Sequence, residues 1–315
     1  VVETLRASIN LLLSGKPMSL FERPLDAESI HLSPLSIDNM EERPSHWVDD
    51  GNGWNDAYVA RRRVFPDGQC EVSVTKERHF VGPANKRKPN AKRGESENRE
   101  ANDDDAGRRA KKNVRMCCKT IGADRMVTLT YRENMVDREQ ALKHWKAFCR
   151  RVGKVKEFHY VAVIEEQQRG ALHFHVAVQG RQNYVLLRSI WQRVLGRGPD
   201  GEQMGQVNVR DPHKFGFGVN GAHKLASYIA KYCSKEMQCR GLDQKRYFRS
   251  RGVVLPVVDS VRLKCTTMLG AVQAAFTIAM DYGLGGIQSW CNNGLGVVWI
   301  STAPGGRRDD AECPF

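Results

Sequence analysis

Two apolar runs of strand length stand on either side of a few polar residues: His159–Glu165 (HYVAVIE) and Ala171–Val178 (ALHFHVAV). Runs this rich in apolar and β-branched residues read as buried strands. Their closeness in sequence predicts an antiparallel hairpin, with Arg169-Gly170 in a tight turn between them. Met126–Tyr131 (MVTLTY) and Gln206–Arg210 (QVNVR) read as two more strands. Asp137–Val152 has apolar residues at 141, 142, 145, 148, 149 and 152, the spacing of an amphipathic helix. Asp137 is placed to cap that helix and Gly153 to stop it. Tyr184–Leu195 reads as a helix ended by Gly196, and Ala222–Gln238 as another. The order β-α-β-β-α-β-α predicts an α+β domain over residues 114–260, an antiparallel sheet with flanking helices.

Charge bears on the partner. The 315 residues hold 49 Lys and Arg against 36 Asp and Glu, a net charge of +13. An excess of that size favours a polyanion such as nucleic acid. More than half of it falls in residues 76–119, with 14 basic and 7 acidic side chains. Residues 83–112 offer almost no large apolar side chain to offset the entropy of ordering, so 76–113 is expected to be a flexible basic linker, either a DNA tether or a spacer. Residues 1–75, with a turn signal at Gly51-Asn52-Gly53, are of uncertain order. Residues 261–315 form a tail or small subdomain without a clear pattern.

Nine cysteines with no CxxC pair exclude a disulfide framework and a zinc ribbon, and suit a reducing cytoplasm. Leu11-Leu12-Leu13 is too short for a signal core, and no stretch of about 18 apolar residues exists. A soluble protein with no membrane partner is expected. The initial Val fits a nonstandard start codon or a truncation.

Two constellations carry chemistry. In His173-Phe174-His175, residues two apart on a strand share a face, so both imidazoles point the same way at a spacing that can hold one metal ion. Phe174 points to the other face. The preceding strand ends in Glu165-Glu166. A three-residue loop over 168–170 sets Glu165 across from His173; a two-residue loop over 169–170 sets Glu166 there. Two imidazoles and one carboxylate leave coordination positions open, as a catalytic metal needs. The second constellation is Tyr228-Ile229-Ala230-Lys231-Tyr232. Residues four apart on a helix share a face, so both phenols face one way with Lys231 alongside. A phenol attacks a phosphodiester well only when activated by a metal-polarised phosphate or a neighbouring cation. Leu13-Ser14-Gly15-Lys16-Pro17 ends like a phosphate loop but lacks the first Gly and the Ser or Thr, so it is not one.

A strand MVTLTY, then EEQQRGALHFH, then YIAKYCSK on a later helix resembles the HUH (His-hydrophobe-His) endonuclease superfamily. It looks most like the two-tyrosine rolling-circle initiators of single-stranded DNA phages and plasmids. The fit runs from Met126 to Gly252 and includes Arg246–Gly252 (RYFRSRG). The resemblance implies a ferredoxin/RRM-like sheet of about five strands. It implies His173 and His175 as ligands of Mg²⁺ or Mn²⁺, with Glu165 as third ligand and Glu166 as fallback. It implies Tyr228 and Tyr232 as nucleophiles, Lys231 as a helper at the phosphate, and Thr128 and Thr130 as supports of the site. Arg246, Arg249 and Arg251 are candidate phosphate contacts. The implied activity is site- and strand-specific nicking and rejoining of origin DNA, single-stranded or supercoiled, through a 5′-phosphotyrosine, with host helicase and polymerase in the bacterial cytoplasm. The alternatives are a single-strand transposase of the same superfamily and a non-catalytic DNA-binding regulator.

Overall fold

The computed structural model describes residues 18–19, 54–80, 91–92, 95–210, 221–231, 244–282 and 287–303, with backbone only for 18–19, 54 and 221–224. The chain divides into two compact units, Pro89–Leu255 and a discontinuous one made of Val1–Lys88 with Pro256–Phe315.

In the continuous unit the elements run α1 (Arg99–Thr120), β4 (Arg125–Tyr131), α2 (Arg138–Gly153), β5 (Tyr160–Glu166), β6 (Leu172–Val178), α3 (Tyr184–Leu195), β7 (Gly205–Arg210), α4 (Gly221–Lys231) and β8 (Tyr247–Arg249). The five strands form one antiparallel sheet in the order β7-β4-β6-β5-β8. This is the α+β sheet with flanking helices that the apolar patterning predicts. Asp137 caps α2, its carboxylate accepting from the backbone N–H groups of Glu139 and Gln140. Gly196 ends α3 at φ 81°, a conformation that favours glycine. The predicted helix Ala222–Gln238 is seen as α4 to Lys231; residues 232–238 lie outside the described residues, as does Gly51–Gly53.

Side-chain alternation splits the sheet into two buried faces. Leu129, Ile164, Phe174 and Val176 meet Trp145 and Phe148 of α2 and Leu187 and Trp191 of α3. Phe174 stacks on Trp145 with ring centroids 5.1 Å apart. On the other face Met126, Val161, Val163 and Ala177 meet Val114 and Cys117 of α1 and Leu225, Ala226 and Ile229 of α4.

Residues 99–113, expected to belong to a flexible arm, are part of the 22-residue α1. The expectation was drawn from the lack of large apolar side chains. The helix is held by small ones instead: Gly107, Ala110, Val114, Cys117 and Cys118 are buried. Small residues let a helix approach closely. A methyl group at Gly107 would sit 3.5 Å from the guanidinium carbon of Arg246.

The discontinuous unit is a second sheet, in the order β1-β10-β11-β3-β2-β9. β2 (Trp54–Val64) and β3 (Cys70–Phe80) form an 11-residue hairpin, with Val64 paired to Cys70. β10 (Gln288–Asn292) and β11 (Val297–Ser301) continue from β3; β9 (Asp259–Arg262) lies along β2, and β1 (Met18–Ser19) along β10. α5 (Met268–Met280) covers one face, where Val72, Val74, Val272, Phe276, Val298 and Ile300 pack. The tail and the poorly patterned N-terminal region thus share one core. Among the described residues no helix is long and apolar enough to cross a membrane, and the described cysteines are free thiols.

Candidate active site

The β5–β6 register decides which carboxylate faces the histidines. Gln167 N–H donates to Ala171 O and Gly170 N–H to Gln167 O, closing the three-residue loop 168–170. Gly170, at φ 83°, makes that turn. Glu165 therefore lies opposite His173, and Glu166 opposite Leu172. Of the two alternatives, the longer loop is the one formed, and Glu166 sits out of step with the histidine face.

His173 and His175 are buried, at 8 % and 6 % exposure. His175 Nε2 is 2.5 Å from Glu165 Oε2, and its Nδ1 is 3.3 Å from Thr128 Oγ1. Thr128 pairs with His175 across β4 and β6, so the hydroxyl is held on the ring's far nitrogen and fixes its orientation. Thr130 instead donates its hydroxyl to Gln206 O, 3.3 Å away. His173 Nε2 is buried with no hydrogen-bond partner. A buried imidazole nitrogen without a partner is costly unless something else engages it.

The charges in the site are coupled. Burial acts to raise the Glu165 carboxyl. The His175 hydrogen bond and the charges of His175, His173 and Lys231 outweigh it and hold the group below its ordinary value. His173 is held below the usual imidazole value, first by burial and then by the charges of His175 and Arg169, with Glu165 opposing.

The helix of the tyrosine motif comes to this same face. Leu225, Ala226 and Ile229 of α4 pack with Val161, Val163 and Ala177, which alternate in step with Glu165, His173 and His175. Tyr228 is half-buried against that cluster, and Lys231 Nζ stands 4.3 Å from the Tyr228 ring centroid. Lys231 is thus a cation shared between the phenol and the carboxylate. Tyr232 lies outside the described residues.

The arginines divide. Arg246 is buried, and its Nη2 donates to both the carboxylate, at 2.6 Å, and the carbonyl, at 2.8 Å, of Asp103 in α1. Its predicted role as a phosphate contact is therefore corrected: the guanidinium pins α1 to the strand end. Arg249 and Arg251 are exposed, as a phosphate contact requires.

Residues 124–237 match the family model of the replication-associated protein of the ORF2 type. The match runs from the start of β4 past the end of α4, over the histidine pair, Glu165, Tyr228 and Lys231. It supports a replication initiator, and hence a protein that acts on DNA. No curated protein and no solved structure matches the chain.

The donor set fits a hard divalent cation in its chemistry: two imidazoles, one carboxylate, and an orphaned His173 nitrogen on the same face. Among the described residues no three His, Cys, Asp or Glu side chains are already gathered as a ligand shell, because His175 and Glu165 bond each other directly.

Proposed function

We propose that this chain is a rolling-circle replication initiator that nicks and rejoins one strand of origin DNA. His173, His175 and Glu165 would hold Mg²⁺ or Mn²⁺, which when bound polarises the scissile phosphate. Glu165 and Thr128 orient the His175 ring from its two nitrogens. The Tyr228 oxygen attacks phosphorus in line. A phosphotyrosine bond to the 5′ side forms as the bond to the 3′ oxygen breaks; the phenol proton leaves to solvent, and the 3′ oxygen takes one up to become the free 3′-OH. Lys231 brings positive charge to phosphate oxygens as the displacement proceeds. Tyr232 is proposed as the second nucleophile, which cuts the regenerated origin so that the 3′-OH can close the circle. Host helicase and polymerase would extend the primer in the bacterial cytoplasm, on a phage or plasmid replicon.

The observation that carries this reading is the packing of the Tyr228 helix on the sheet face that bears Glu165, His173 and His175. The test mixes the full chain with a labelled origin oligonucleotide and Mn²⁺ and reads a protein–DNA adduct on a denaturing gel. Y228F/Y232F is expected to lose the adduct and keep binding. An adduct that survives in that variant overturns the nucleophile assignment. The direct His175–Glu165 bond favours a second reading, a DNA-binding replication protein without cation chemistry. It predicts the same DNA binding and no cation-dependent nick.

A further inference from the structure

The edge strand β8 is three residues long and leaves the sheet beside a groove of about 1760 Å³. The groove wraps around the sheet edge. Arg109 enters it from α1 on one face, Lys146 and Arg150 from α2 on the other, and Lys245, Arg249 and Arg251 from β8 and its flanks. All six are exposed. Two acids line the groove, and both are engaged: Asp103 with Arg246 at 2.6 Å, and Glu157 with His159 at 2.8 Å. The charge facing solvent is therefore almost wholly positive.

Basic side chains beside an edge strand can serve only to prevent pairing with another chain. That purpose explains Arg249 and Arg251. It does not explain Arg109, Lys146 and Arg150, which stand on helices away from the strand's open hydrogen-bonding groups. Six cations converging from four elements on one open groove form a track for a regularly spaced polyanion.

We infer that this groove binds the sugar-phosphate backbone of DNA flanking the cleavage site, as a subsite separate from the histidine–tyrosine centre. The inference rests on the reading of the chain as a DNA-acting replication protein. The two sites lie along one strand: Tyr160 at the start of β5 lines the groove, and Glu165 near its end faces His173. Five residues of strand separate them, about 17 Å at the usual rise. A strand seated at the centre must therefore extend for several nucleotides before it reaches the groove, so only longer substrates gain from it.

The test compares a short oligonucleotide ending close to the nick with a long one carrying the flanks, in single-stranded and duplex forms, using the full chain. K146A/R150A/R251A removes three exposed cations. Each single-strand phosphate contact contributes about 0.7 to the slope of log K against log salt, so the slope on the long substrate is expected to fall by about 2 and the affinity near 0.1 M salt by about 100-fold. Nicking of the short substrate is expected to keep its rate and KM. The form of DNA that shows the loss, single or duplex, identifies the occupant. Wild-type affinity and slope on both long forms would overturn the inference, as would an equal loss on the short substrate. The Y228F/Y232F variant separates this from the chemistry: failure of the nicking reading leaves its long-substrate affinity intact.

Discussion

Replacing Asp103 by Ala tests whether Arg246 is a structural pin. The Arg246 side chain is 7 % exposed and that of Asp103 18 %. The guanidinium receives one carboxylate contact at 2.6 Å and one carbonyl contact at 2.8 Å. Removing one partner of a buried ion pair costs about 3–5 kcal/mol, because the remaining charge is left uncompensated. The partial exposure of Asp103 and the surviving carbonyl bond place D103A near the lower end, about 3 kcal/mol. In a unit of this size each kcal/mol moves the melting temperature by about 2–4 °C, so a drop of about 6–12 °C is expected. D103L/R246M removes both charges and should lose less than the sum of the single changes, with a coupling of about 1–3 kcal/mol. Urea and thermal unfolding followed by circular dichroism measure all of these. A D103A variant that melts within a degree or two of wild type, together with an R246M variant that loses DNA affinity but not stability, would refute the pin and return Arg246 to the DNA.

Three further outcomes follow from the geometry. E165Q is expected to weaken Mn²⁺ stimulation of nicking by at least about 10-fold while E166Q stays within a few-fold, since Glu165 pairs with His173 and Glu166 with Leu172; a Mn²⁺ titration of the two variants decides it. G205A should destabilise by about 1–3 kcal/mol, because a methyl there would lie 2.6 Å from Thr130 O and 2.8 Å from Trp191 Nε1, the pair joined by a 3.0 Å hydrogen bond; G153A, with nothing within 4 Å, is the control in the same denaturation assay. Burial holds His173 and His144 below their ordinary values. Between the folded value and about 6.5 the unfolded chain binds more protons, so stability is full above about pH 6.5 and declines as pH falls below it. The urea midpoint should be lower at pH 5.5 than at pH 8, with a shallower decline in H144Q; a flat profile would contradict the burial argument.

The local elements of the continuous unit were legible in the sequence because their signals are local. Period-2 alternation put His173 and His175 on one face and Phe174 on the other, and helical spacing with Asp137 and Gly196 marked helix ends; those readings follow from backbone geometry alone. Other features depended on what each segment meets in space. Loop length chose Glu165 over Glu166, a choice the residues left open because both turns suit Arg169-Gly170. Composition made residues 99–113 look flexible, yet small side chains suffice for a helix that lies close against other elements. Arg246 reads as a surface cation until α1 supplies Asp103. Nothing in Lys146 or Arg109 marks a groove, since their neighbours come from other elements. The second sheet joins β2 to β9, with Val59 beside Arg262, and strand pairing over such a separation leaves no periodic trace in either segment. What the sequence by itself determined was the set of side chains able to share a face; the tertiary structure alone decided which faces meet, because burial and charge pairing belong to contacts between distant segments and not to either segment alone.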